Sequence, residues 1–385
     1  MSGAERSTRI DVRLYDAQAI DELVWPDDAD HDRLRRYLVP MMHEGPRHFI
    51  DNADVDMLAL KVDDRVLPVV VSRERPESAC VCSPYSHYIA YAGEELGKLP
   101  DKTTVGVVRG ALSFLGSVVS RLGLDRVVYV NSWLLITNPV IRLSTRQIAA
   151  ITDCLTSAFP DRAIVFRNVD TVTRMPLFRT LLAGDYRMLA SRKIHILDGT
   201  RCDVRRKRNV QKDFVLLRST PYEAVTGDEL TDADIARLTE VYRMLYLERH
   251  CTLNPQLNEN FFRLAIRAGV FEVHAFKRDG RVDGFSANLL QGGVLTPPAI
   301  GYDIHMSREL GLYRLVFIVL IRDALERKLP VNLSGGASAF KHHRGALPTV
   351  EFDAVYDRHL DPHRRIPWTL LRLAFSRVTV GAFHA

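Results

Sequence analysis

Cysteine is scarce in this chain, with five in 385 residues. That is too few for a disulfide scaffold, and an odd number leaves one thiol unpaired. Cys80 and Cys82 stand two apart, which on a strand puts both side chains on one face; Cys154, Cys202 and Cys251 are isolated. No C-x-x-C pair occurs, which argues against zinc and thioredoxin-type chemistry, and no metal site is expected. Uninterrupted apolar runs of 18 residues are also missing, so no membrane-spanning segment is expected. The apolar C-terminal helix with Trp368, Leu370, Leu371 and Phe375 is expected to pack on the protein's own core rather than on a membrane. Residues 1–11 lack the apolar core of a signal peptide, and a reduced cytoplasm is the simplest setting. Neither sign of charge dominates: 52 Lys and Arg face 47 Asp and Glu, a net +5. A dedicated DNA binder would be more basic, whereas a phosphate-bearing partner is permitted.

What is present is an ordinary globular composition, 46% hydrophobic and 26% charged, which excludes disordered and collagen-like chains. The length accommodates two domains, each with its own core.

Apolar periodicity and turn residues predict strands alternating with helices in both halves. In the first half the pattern gives a helix from His31 to His43 and strands at Asp56–Val62 and Val66–Ser72. A third apolar stretch, Ala79–Cys82, is followed by a loop rich in aromatics. Beyond it come a helix from Thr104 to Leu122, a buried strand at Arg126–Val130, a Ser144-capped helix to Ala158, and strands at Ala163–Phe166 and Ser191–Leu197. In the second half Thr231 caps a helix to about Leu247, and Asn258–Ala268 is another. Val270–Lys277 and Val282–Leu290 form a hairpin about Asp279-Gly280. Val294–Tyr302 is a strand, Arg308–Arg327 a long amphipathic helix, Pro330–Leu333 a strand, Ala354–Tyr356 an extended segment and Ile366–Phe383 a closing helix.

An internal repeat accompanies this order. Ala59-Leu60-Lys61-Val62-Asp63-Asp64-Arg65-Val66 matches Ala275-Phe276-Lys277-Arg278-Asp279-Gly280-Arg281-Val282 as A-x-K-x-D-x-R-V. Each copy precedes another strand, a helix of about twenty residues and a short buried strand, which points to duplication. A dinucleotide-binding fold is disfavoured, because no G-x-G-x-x-G follows a strand.

Three segments carry a family resemblance. One is Arg205-Arg206-Lys207-Arg208-Asn209-Val210-Gln211-Lys212, leading into an expected strand at Phe214–Leu217. Another is Gly301-Tyr302-Asp303, and the third is Ser334-Gly335-Gly336-Ala337-Ser338-Ala339-Phe340-Lys341. With the order of elements, these make the second half resemble GNAT acyltransferase domains of the tandem Fem-type and BioF2-like kind. The resemblance implies an α/β (α+β) fold of two GNAT-like units, each a mixed, mostly antiparallel sheet flanked by helices. The implied organisation is an acceptor-side domain over residues 1–200, a donor-side domain over 201–360 and a terminal helix over 361–385. The implied activity is amide formation by N-acyl transfer from an activated donor to a small-molecule amine. Aminoacyl-tRNA is favoured as donor, with acyl-CoA or acyl carrier protein as runner-up and no tightly bound cofactor. A degenerate unit that only binds a partner is a further alternative.

The resemblance assigns Lys341 to the oxyanion of the reacting ester and Phe340 to the donor's terminal nucleotide. Acyl transfer needs positive charge where the tetrahedral oxyanion develops. GNAT enzymes that bind coenzyme A usually carry Q/R-x-x-G-x-G/A at the start of the long helix. Here Arg308 and Gly311 fit that donor-binding pattern, but Tyr313 replaces its small last residue and Glu309 places negative charge at the anion site. The cations Arg205, Arg206, Arg208 and Lys212 are candidate phosphate contacts, the alternative being a solvated linker. His343 and Arg344 are candidates beside Lys341. On the acceptor side, Tyr85, Ser86, Tyr88 and Tyr91 are candidate pocket residues, with His87 as proton acceptor. Asn131 and Trp133, after a buried strand, are similar candidates, and Asp303 is one for anchoring the amine or orienting Lys341.

Overall fold

Alternating apolar strands joined by charged turns build this molecule in two halves. In the computed structural model, which describes residues 10–75, 77–96 and 102–381, the first half runs Val12–Tyr15 (β1), Ala29–His43 (α1), Val55–Val62 (β2), Arg65–Ser72 (β3), Tyr91–Leu96 (α2), Lys102–Arg121 (α3), Val127–Val130 (β4), Thr145–Ala158 (α4), Ala163–Asp170 (β5), Met175–Ala183 (α5) and Arg187–Asp198 (β6). The second runs Arg208–Ser219 (α6), Glu223–Thr226 (β7), Asp232–Arg243 (α7), Glu259–Arg267 (α8), Glu272–Arg278 (β8), Arg281–Gln291 (β9), Val294–Tyr302 (β10), Leu312–Arg327 (α9), Pro330–Asn332 (β11), Ser338–His342 (α10), Leu347–Tyr356 (β12) and Pro362–Gly381 (α11).

The strands form one sheet in the order β1-β2-β3-β4-β5-β12-β6-β11-β10-β9-β8-β7. The A-x-K-x-D-x-R-V copies occupy equivalent places. The β2–β3 hairpin closes at Val62↔Arg65 and the β8–β9 hairpin at Arg278↔Arg281. Asp279 and Gly280 both take positive φ, as a two-residue hairpin turn matched to strand twist requires. Each half continues antiparallel to its fourth strand, which pairs parallel with the fifth, β4 with β5 and β10 with β11. The last strands are exchanged. β6 pairs with β11 of the other half and β12 with β5, and the two lie side by side at the centre. The expected fold class, tandem mixed sheets flanked by helices, is the one observed.

Four local expectations need correction. Phe214–Leu217 is helical, within α6, because Val210, Asp213 and Phe214 recur at helical spacing on its inner face. Ala79–Cys82 is a turn, with both thiols buried. The long helix α9 is buried on nearly all sides from Leu315 to Ile321, between the sheet and α6, so it has no broad solvent face. The helix matching α9 in the repeat is α4, not α3, because a parallel strand pair needs a crossover and α4 is the one joining β4 to β5. α3 belongs to an insertion, residues 73–126, between β3 and β4, where the second half has only the Gly292-Gly293 turn.

One core cluster joins both halves, with Tyr37 stacked on Trp133 and edge-on to Phe261. α11 packs Trp368 and Leu371 into it, while Phe383 of the expected closing helix lies outside the described residues. Among the described residues no helix is long and apolar enough to cross a membrane.

Candidate active site

The site follows from a break in the sheet. β10 and β11 meet only at Leu295↔Val331, and β10 is bulged between Thr296 and Ala299. The bulge holds Pro297 and Pro298, which have no backbone N–H to donate. Beyond it the parallel strands part, and a cavity of about 460 Å³ opens against β5, β6 and the inserted segment of the first half. Two π-helical turns face it, Ser86–Ala90 from the first half and Met244–His250 from the second, carrying His87, Tyr88 and Tyr246 to its wall.

Lys341 enters from the second half. It sits on the short helix α10, after a loop in which Ser334, Gly336 and Ala337 all take positive φ. Such a backbone is costly for Ser and Ala and is held here against β6 and β11. Lys341 is 2% exposed; its Nζ donates to the Ser334 carbonyl at 3.2 Å and to the Gly335 carbonyl. An ammonium has three N–H groups, so one remains for the cavity that Lys341 lines. Burial, reinforced by the charge of Arg192, pushes its pKa down to about 7. Near neutral pH it exists in both protonation states.

His87 faces the same space. Its Nε2 lies 2.8 Å from the Ser191 hydroxyl on β6, and burial holds its pKa well below the ordinary histidine value, so the ring is a neutral imidazole. Tyr88 donates to Asp353 at 2.8 Å, and burial pushes both groups up. Arg192 binds Glu351 through Nε and Nη2 at 3.0 and 3.1 Å. Arg167, from β5, also lines the cavity.

The structure thus brings Lys341, His87, Tyr88 and Tyr91 into one cavity. Tyr85 and Ser86 begin the same π-turn but do not line it; their backbone N–H groups bond Asp125 and Ser83. Asn131 and Trp133 lie elsewhere: Trp133 is 1% exposed in the core, and Asn131 accepts from its indole and donates to Pro139. Asp303 accepts from Arg237 at 2.5 Å, outside the cavity. Phe340 packs on Tyr313 and Phe317, beneath the Arg344 guanidinium. Arg344 is buried and paired at 2.6 Å with Asp213, which also holds Arg314. Arg308 and His343 are exposed, and Gly311 takes positive φ at the start of α9, where a Cβ would strike Leu216 of α6. Arg205, Arg206, Arg208 and Lys212 are exposed and make no ion pair with a described residue.

Arg167, Arg192, Ser191 and Tyr246 escaped the sequence reading. For Arg167 a signal exists: it stands in Ala163–Asp170, a strand buried at every position, where a charge is out of place.

Residues 201–342 match the family model of the acetyltransferase (GNAT) domain. That match places a GNAT-type acyltransferase domain in the C-terminal half of the chain. Among solved structures it is similar to a tandem GNAT protein from the clavulanic acid biosynthesis pathway, at 12% identity and TM-score 0.38, over 90% of this chain and 98% of that one. It is similar to FemX at 10% identity and TM-score 0.42, over 56% and 78%. The L-PGS structure from Bacillus licheniformis gives 12% identity and TM-score 0.42, over 59% and 78%. No curated protein matches the chain in sequence.

Proposed function

We propose that the protein forms an amide by transferring an aminoacyl or acyl group from an activated donor to a small-molecule amine in this cavity. The observation that carries the reading is Lys341, a buried cation with one free N–H, on the wall of a cavity shared by both halves. The amine attacks the donor carbonyl directly, forming the C–N bond as the C=O electrons move onto oxygen. Lys341 stabilises that oxyanion. The intermediate collapses and expels the donor's hydroxyl or thiol, which takes up a proton while the amine loses one. His87, neutral and within reach of the same space, accepts the amine's proton. The cavity around Tyr313 and Lys341 is open, which speaks against a unit that only binds a partner.

Aminoacyl-tRNA is the preferred donor. The four unpaired cations from Arg205 to Lys212 lie at and beside the start of α6, which packs on α9. The Tyr313 ring, set among Tyr302, Phe317 and Phe340, occupies the start of α9, where a pyrophosphate would need bare backbone. Acyl-CoA or acyl carrier protein remains the second reading, supported by the GNAT match itself. Two measurements test the proposal. Lys341→Ala lowers single-turnover amide formation by about 10²–10³, the cost of removing one oxyanion donor; full turnover in the variant sinks the reading. tRNA affinity falls steeply with log salt, whereas acyl-CoA affinity changes far less; a shallow slope transfers the donor role to acyl-CoA.

A further inference from the structure

We propose that the amine acceptor also carries a carboxylate, as an α-amino acid does, and that Arg167 and Arg192 receive it. The inference rests on the amide-forming reading above. Its source is a buried guanidinium with no carboxylate in direct contact among the described residues. Arg167 is 9% exposed, and its Nη1 reaches only the Val81 carbonyl, at 3.4 Å. Its Nε and Nη2 have no hydrogen-bond partner among the described residues, and no carboxylate there lies within ion-pair distance. An arginine cannot shed its charge as a buried lysine can, so a guanidinium in this position is expensive unless something anionic meets it.

The nearest acids, Glu351 and Asp353, attract Arg167 only from beyond ion-pair distance, and each is bound elsewhere through at least one oxygen. Both oxygens of Glu351 accept from Arg192, and Asp353 accepts the Tyr88 hydroxyl, with its carboxyl pushed up by burial. Arg192 itself spends Nε and Nη2 on Glu351, Thr137 and the Ile136 carbonyl, leaving Nη1 without a partner among the described residues. Among the described residues the cavity wall contains Arg167, Arg192, Lys193 and Lys341 and no Asp or Glu. The vacant N–H groups of two guanidinia suit a planar, two-oxygen anion, which a guanidinium fork binds through parallel hydrogen bonds. Both arginines come from the first half, and Lys341 from the second. With the carboxylate held on β5 and β6, the amine is left to face His87 and the donor carbonyl at Lys341 within the same cavity.

The test is calorimetric titration of the full chain, wild type and Arg167→Gln, with the twenty L-amino acids, their α-amides, the corresponding decarboxylated amines and phosphoethanolamine. The expected result is that one or a few amino acids bind. Replacing the carboxylate by an amide, or Arg167 by Gln, then weakens that binding by about 10- to 100-fold, the worth of hydrogen bonds to a charged group. Arg167→Lys, which keeps the charge and loses the fork, retains part of the affinity. Because Asp353 and Glu351 attract Arg167 from beyond ion-pair distance, the unliganded Arg167→Gln protein melts at most slightly lower than wild type. The deciding readout is therefore amino-acid affinity relative to that of the matching α-amide. Four outcomes overturn the inference: equal binding of amino acids and their amides, tighter binding of phosphoethanolamine than of any amino acid, no amino acid bound at millimolar concentration, or an Arg167→Gln protein that melts lower with affinity unchanged. Turnover separates this inference from the reading beneath it. Arg167-dependent carboxylate binding without amide product from any donor sinks the amide-forming reading and leaves the receptor standing. Product formed equally well from amines lacking a carboxylate does the reverse.

Discussion

In the first half, β4 and β5 stay paired from Val127↔Ala163 to Val130↔Phe166, whereas in the second β10 and β11 meet at Leu295↔Val331 alone. The hairpins before them match closely, so the divergence is local. It comes from Pro297-Pro298, which remove two ladder donors and bulge β10 away from its neighbour. The first half differs in a second way. Where the second half turns at Gly292-Gly293, the first inserts residues 73–126, and that segment brings Cys80, His87, Tyr88 and Tyr91 to the other half's cavity. One half is open at this point, and the other supplies the far wall.

Three measurements break or sharpen this comparison. If the first half takes part in the chemistry, His87→Gln lowers kcat by about 10², a typical contribution of a positioned proton acceptor, with substrate affinity little changed. A kcat equal to that of wild type confines the chemistry to the second half. Because β6 and β12 are exchanged, the halves should not melt separately. Trp133→Ala empties a core position in the first half, and Asp213→Ala leaves Arg344 buried without its partner in the second. Each is expected to cost about 3–5 kcal/mol. Both should shift one shared transition in calorimetry, and two resolved transitions break the expectation.

The smallest effect concerns Lys341. Its folded pKa, about 7, lies below the unfolded value of 10.5, so between those limits the unfolded chain holds the extra proton and stability rises with pH. Below pH 7 the full cost of burying the ammonium is present. Lys341→Met is therefore expected to stabilise the fold at pH 6 by about 2 kcal/mol, a figure reduced because two carbonyls lose a donor. The gain shrinks by pH 9. A pH-independent difference between the two proteins contradicts the assignment.

Much of this fold was legible because its signals are local. The alternation in Val55–Val62, the Asp279-Gly280 turn and the Ser144 cap each act within a few residues, and each forms where the pattern places it. The A-x-K-x-D-x-R-V motif aligned the right hairpins for the same reason. Partner choice is a long-range matter. Nothing in Leu347–Tyr356 says that it pairs with β5, some 180 residues earlier in the chain, rather than with β11 of its own half. The misassigned α3 has the same origin, since its length resembles α9 while only strand direction reveals that α4 is the crossover. At the site, Lys341 and His87 were singled out through motif and composition, and both line the cavity. Arg167 and Arg192 sit on strands whose apolar neighbours drew attention to packing, and their meaning lies in the acids that are absent around them.

The exchange of β6 and β12 also governs how the chain is made. During synthesis from the N-terminus, β5 emerges long before the strand that will cover its edge. Until Leu347–Tyr356 follows, that edge offers a row of unpaired N–H and C=O groups, an invitation to another nascent chain. A chain cut at residue 200 is therefore expected not to fold on its own. The cut leaves a first half with β5 exposed and with β6 bereft of β11 and β12, the strands it was shaped to join. The exchanged strands tie the two halves into a single folding unit.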